Sequence, residues 1–154
     1  MRKLAIAVGL AATMLAVMAA ASAAPPSPVS GTETITSETA TVIGTADGNT
    51  ILAVSAAGVI GGSFTGTFTA DFTSIVHPSG LTNDVNGTFI CTCSFAGRSG
   101  SVTFGFEGTG SASGTEVHAE TIGATGGLVG LHSNVTVDIA GTAGTYSGTA
   151  HFAP

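Results

Sequence analysis

After residue 23 the chain has no lysine and a single arginine, Arg98, set against nine carboxylates, a side-chain charge of −8. A duplex or an anionic lipid surface needs several Lys or Arg to offset its phosphates, so nucleic acid and membrane surfaces are not expected partners. No apolar run after Ala23 approaches the roughly 20 residues of a membrane-spanning helix. A Gly-x-Ser-x-Gly elbow is missing, and no pair of carboxylates can be assigned to a cleft, so nucleophilic and glycosidic hydrolysis lack their constellations. The run Gly126-Gly127-Leu128-Val129-Gly130-Leu131 is followed by no Lys and by no strand-to-helix transition, which argues against a phosphate cradle. No cofactor and no metal site is expected.

The chain does carry one long apolar run, and it comes first. Arg2 and Lys3 precede Leu4 to Ala20, and Ala21-Ser22-Ala23 has the small-x-small form that a signal peptidase reads. Residues 1–23 therefore read as a signal peptide, against the alternative of a retained anchor, and place the mature protein outside the cytoplasm, secreted or in the cell envelope. Pro25, Pro26 and Pro28 then suggest a short Pro-rich tether over 24–32, leaving 33–154 as one domain.

Within that domain the dominant signal is alternation. In Phe64-Thr65-Gly66-Thr67-Phe68-Thr69-Ala70-Asp71-Phe72-Thr73 the aromatic and small residues share one side and the hydroxyls the other, which is the pattern of a half-buried strand. A helix would also align the three Phe residues, but Gly66 and the β-branched Thr residues oppose it. Similar segments cover 33–44, 50–56, 62–76, 81–95, 101–108, 115–122, 132–140 and 145–152, separated by Gly, Asn, Asp and Ser clusters. About eight sequential strands with one apolar face each fit a single antiparallel β-barrel; the alternative is a β-sandwich. The barrel is favoured because the strands lack the Lys and Pro that protect exposed sheet edges, and closure removes edges.

On this reading Phe68, Phe72, Phe89, Phe104, Phe106 and Tyr146 face inward and are the candidate lining of a ligand cavity. Gly66, Ala70, Gly87, Gly148 and Ala150 also face inward. They either allow tight strand coiling beside the Phe rings with no void, or leave an apolar cavity.

Three features invite chemistry. Cys91 and Cys93 lie two apart on the inner face, with Cα atoms about 6.5 Å apart in a regular strand, near the limit for a disulfide. Buried thiols, a bridge that needs a local bulge, and a metal or intermolecular link are all open. Glu116, His118 and Glu120 form a polar row on one strand face, either a partial metal or proton-transfer site or a solvated exterior opposite Val117, Ala119 and Thr121. Arg98 sits in the expected loop 96–100, where it would bind loop carbonyls or Asp84, or else contact an anion.

The blocks Gly97-Arg98-Ser99-Gly100-Ser101-Val102-Thr103-Phe104 with Glu107-Gly108, Gly123 to Leu131, and Gly144-Thr145-Tyr146-Ser147-Gly148 together resemble a bacterial family of unknown function. Its members adopt a barrel similar to that of allene oxide cyclase. The resemblance implies an eight-stranded antiparallel barrel, a count reached above from the residues alone, and it carries no catalytic residue onto this chain.

Three functions are therefore expected, in this order: a non-enzymatic barrel that binds a small apolar molecule, an isomerase or cyclase of the confining-barrel type, and a self-associating or polysaccharide-binding surface protein. The sequence leaves the oligomeric state open.

Overall fold

The computed structural model describes residues 25–153, so the expected signal peptide lies outside the described residues. Eight strands run in order: β1 (Ser27–Ala46), β2 (Asn49–Gly62), β3 (Phe64–Val76), β4 (Thr82–Phe95), β5 (Arg98–Ser111), β6 (Gly114–Gly126), β7 (Leu131–Ala140) and β8 (Ala143–Phe152). Each pairs antiparallel with its sequence neighbours, and β8 returns to β1, closing the ring. The fold is thus an all-β barrel, and the sandwich alternative is excluded.

Connections are short because the turn residues supply the required backbone. Asp47-Gly48 and Ala96-Gly97 have φ of 52°, 81°, 49° and 75°, the positive pair of a two-residue type I′ hairpin. The second turn is tighter than the five-residue loop expected, and Arg98 to Gly100 belong to β5.

Two ends can be distinguished. Turns 47–48, 77–81, 112–113 and 141–142 gather at one end. Ser63, Ala96-Gly97, residues 127–130 and both described chain termini gather at the other. The second end is plugged. Leu128, turned inward by the bend whose Gly126 and Gly130 have φ of 62° and 82°, is fully buried, as are Cys91 and Val102. Phe64 stacks on Phe95 (4.8 Å between centroids), which leans on Phe152 (5.9 Å). The glycine-rich run of β6–β7 is therefore a plug, with no helix and no anion cradle among the described residues.

Outward positions are mostly Thr and Ser, and some bond across strands, as do Ser94 and Ser99 (2.8 Å) and Ser55 with Asp71 (2.6 Å). The polar row belongs to this surface. Glu116, His118 and Glu120 are exposed on β6 while Val117 and Ala119 are buried.

Three expectations need correction. First, the tether is shorter than expected, because β1 begins at Ser27, pairs with β8 through Thr34 and buries Val29. Pro28 is accommodated because β1 has only β8 beside it there, β2 pairing starting at Gly31, so no second ladder bond is lost. Second, closure does not remove every edge. Beyond Ile35, whose N–H donates to the Thr142 carbonyl (2.8 Å), β1 pairs with β2 alone, so its far side from Ser37 to Ala46 has no strand partner among the described residues. Val42 and Ile43 stand exposed on this overhang. Third, Arg98 and Asp84 sit at opposite ends of the barrel.

Candidate functional site: a half-open apolar cavity

Ring closure by strands whose inner faces alternate Phe with Ala and Gly decides where space remains. At Gly66, Gly87 and Gly148 an added Cβ would collide with the carbonyl of a neighbouring strand, at Thr92, Asp71 and Asn134 respectively, so these glycines serve close strand approach and leave no void. Space is left instead toward the unplugged end, where Ala40, Ala56, Ala70 and Ala119 replace larger side chains. The resulting cavity has a volume of about 360 Å³, within the range of small-molecule sites.

All six aromatic residues expected to face inward, Phe68, Phe72, Phe89, Phe104, Phe106 and Tyr146, are on its wall, together with Phe64 at the floor. The rings pack on one another: Phe68 stacks on Phe89 at 4.6 Å, and Phe89 meets Phe104 edge-on at 5.9 Å. Glu38, Ala40 and Gly141, which also line the cavity, are solvent-exposed, so it opens to water at the end away from the plug. Leu52 and the overhanging part of β1 wall one side of that mouth. Ser74 and Asn83 form a polar spot on the wall, joined by a hydrogen bond from the Asn83 side-chain amide to Ser74 Oγ (2.9 Å).

Two further polar groups stand on the wall. Tyr146 reaches from β8 across β1: its hydroxyl accepts the Phe64 N–H (2.9 Å) and donates to the Gly61 carbonyl (3.1 Å). Burial raises its pKa, the backbone N–H groups of Phe64 and Ser63 offset part of the rise, and the nearby Glu33 carboxylate adds to it. Both hydrogen-bonding roles of this hydroxyl are therefore spent on the β2–β3 turn, and Tyr146 is a brace.

Glu33 differs. Only 7 % of it is exposed, its side chain lines the cavity, and no hydrogen bond or ion pair engages its carboxyl among the described residues. It lies against Gly144 of β8, its strand partner, where an added Cβ would meet Glu33 Cγ at 2.7 Å and Oε1 at 2.8 Å. Gly144 thus gives the carboxyl its room. Desolvation raises the Glu33 pKa above the ordinary glutamate range.

That direction fixes a sign. A carboxyl with a raised folded pKa binds its proton more tightly folded than unfolded. Its contribution to stability is therefore complete below the ordinary glutamate pKa and is lost as pH climbs through the raised value. Urea unfolding at a series of pH values should show wild type losing stability across that window relative to Glu33→Gln. The loss should amount to about 1.4 kcal/mol for every tenfold by which the folded protein holds the proton more tightly than the unfolded chain. Parallel profiles for the two proteins would show that burial leaves Glu33 unperturbed.

Glu33 is within reach of the sequence, since it shares strand parity with Ile35, but a residue at the expected strand start has no flanking alternation to assign its face. Glu38 is hidden. A register shift between Ile35 and Ser37 inserts one residue, so that Glu38, Ala40 and Val42 face the inner residues Ala56, Val54 and Leu52.

The remaining candidates do not join the cavity. Cys91 and Cys93 are bonded to each other inside the wall, with Cα atoms 5.5 Å apart, and neither pairing of β4 has a register shift there, so the bulge expected for a bridge is absent. His118 touches Glu116 (3.8 Å) and Thr136 (3.2 Å) on the outer surface, and no group of three or more metal-ligating side chains occurs among the described residues. Arg98 lies over the Phe152 ring, 4.1 Å from its centroid, as an outer cap on the plug. Asp84, its suggested partner, instead contacts His77 (3.2 Å) at the open end.

No model of a known protein family matches this sequence, and no curated protein matches it. Among solved structures, the fold is similar to the crystal structure of a protein of unknown function from the DUF3224 family of Shewanella oneidensis MR-1, with a TM-score of 0.71 and 16% identity over 84% of this chain and 100% of the other. At that identity the likeness is one of fold: a barrel found in a bacterial domain of unknown function, with nothing in it that bears on allene oxide cyclase.

Proposed function

We propose that the protein is an exported barrel that holds one small apolar molecule in its half-open cavity. The observation that carries this reading is the unfilled, largely aromatic space beside Ala56, Ala70 and Ala119, in a molecule whose other end is closely packed. Export rests on residues 1–23 of the sequence.

The test uses a neutral apolar probe, decan-1-ol, in native mass spectrometry and thermal shift. At a probe concentration 100 times its Kd, binding stabilises by about 2.7 kcal/mol. In Ala56→Phe the added ring enters the cavity, and the fold is retained because the ring meets open space rather than packed neighbours. The variant should lose the probe-induced shift. Equal shifts in both proteins, or none in wild type, would overturn the cavity reading.

A second reading, an isomerase or cyclase that acts by confining its substrate as the resemblance to allene oxide cyclase-like barrels suggests, is favoured by one observation. The cavity opens at one end and carries Glu33, Asn83 and Tyr146 on a largely apolar wall. With the Tyr146 hydroxyl committed to backbone and the Asn83 amide donating to Ser74, Glu33 is the group of the three with no hydrogen bond among the described residues.

A further inference from the structure

Glu33 is only 7 % exposed as a residue, its carboxyl faces a largely apolar cavity, and no hydrogen bond or ion pair engages it among the described residues, an incomplete arrangement because a desolvated acceptor is costly without a partner. Three observations bear on what completes it. Gly144 yields the space that lets Glu33 lie against the wall with its carboxyl in the cavity. Negative charge collects at the entrance, where Glu38 lines the mouth and Asp47, Asp84, Glu116 and Asp138 stand on or next to the surrounding turns. Arg98, the one Lys or Arg in residues 25–153, lies behind the plug at the far end and is turned onto Phe152. A carboxylate-headed ligand would thus meet repulsion on entry and find no cation inside. A cation would be drawn in by the entrance field and would find an unpaired carboxyl at the wall.

We propose that the cavity selects an apolar amine, with the protonated amino group hydrogen-bonded to Glu33 and the hydrocarbon along Phe68, Phe89 and Phe104. The inference rests on the cavity reading above and adds the head group to it. The amine donates N–H to a Glu33 oxygen, completing a charge-assisted pair in surroundings from which water is largely excluded. Fatty acids are disfavoured by the same carboxylates.

Three ten-carbon probes that share a chain and differ only at the head separate these claims: decylamine, decan-1-ol and decanoate, titrated at neutral pH below their aggregation limits. Decylamine should bind at least about 10-fold more tightly than decan-1-ol, the scale of a hydrogen bond to a charged group, and decanoate should bind weakest. Glu33→Gln should abolish the amine preference while keeping decan-1-ol affinity within about 3-fold, since that substitution preserves shape. Equal affinities for amine and alcohol, tighter binding of decanoate, or an amine preference that survives in Glu33→Gln would each overturn the head-group assignment while decan-1-ol binding upholds the cavity. Failure of all three probes would overturn both. Where Glu33→Gln loses decan-1-ol binding together with a collapsed thermal transition, Gly144→Val, which crowds the Glu33 carboxyl from the paired strand β8, supplies the deciding measurement. Amine preference lost in that folded variant upholds the assignment, and preference kept overturns it.

Discussion

Phe64→Ala should cost about 3–5 kcal/mol, the largest loss expected from any single truncation of this barrel. Phe64 is 2 % exposed and belongs to both halves of the interior: it stacks on Phe95 in the plug, and meets Phe104 and Tyr146, each at 6.0 Å, on the cavity floor. Removing its ring deletes contacts that neighbours held by strand pairing on both sides cannot recover by collapse. It would also connect the cavity with the plugged region. Since whole domains of this size are commonly stable by only about 5–15 kcal/mol, the variant should unfold at much lower urea than wild type with an unchanged m-value. A loss below about 1 kcal/mol would show that the plug is loosely packed and that Phe64 does not join the two layers.

Tyr146→Phe should also be damaging, at about 1–3 kcal/mol, although it removes a single oxygen. The hydroxyl is a hub: it accepts from Phe64 N–H and donates to the Gly61 carbonyl, on either side of Ser63. Without it the buried Phe64 N–H loses its partner in an apolar setting, so the cost is set by the group left unsatisfied rather than by the bond alone. The two losses should be non-additive. Phe64→Ala with Tyr146→Phe should cost less than the sum of the single variants, because both act on the β2–β3 turn. Strict additivity in chemical denaturation would mean that the hydroxyl and the ring support different parts of the fold.

What can be read from the residues is decided by strand periodicity. The Phe64 to Thr73 alternation puts Phe68 and Phe72 on the cavity wall, and the same rule gives Phe89, Phe104, Phe106 and Tyr146 their faces. Alternation counts residues, however, and cannot detect one that is skipped. The shift after Ile35 moves Glu38 and Ala40 to the inner face, and the shift on β6 opposite Thr103 and Phe104 leaves Ile122 out of the pairing and exposed. The bonds of Tyr146 are not legible either, since they join residues 82 and 85 positions distant in the chain. The staggered start and finish of the strands, which leaves β1 overhanging, follows from the tilt that closes a barrel and has no local sequence signal.

Pairing of Ser27 with Ala150 sets the beginning and the end of the described chain side by side beneath the plug, as far from Glu38 and Gly141 as the barrel allows. A label, surface linkage or fusion partner joined at Pro25 or Ala153 therefore starts from the base of the cup, at the end opposite its brim. Immobilised in that way, the protein would present its interior directly to whatever diffuses past.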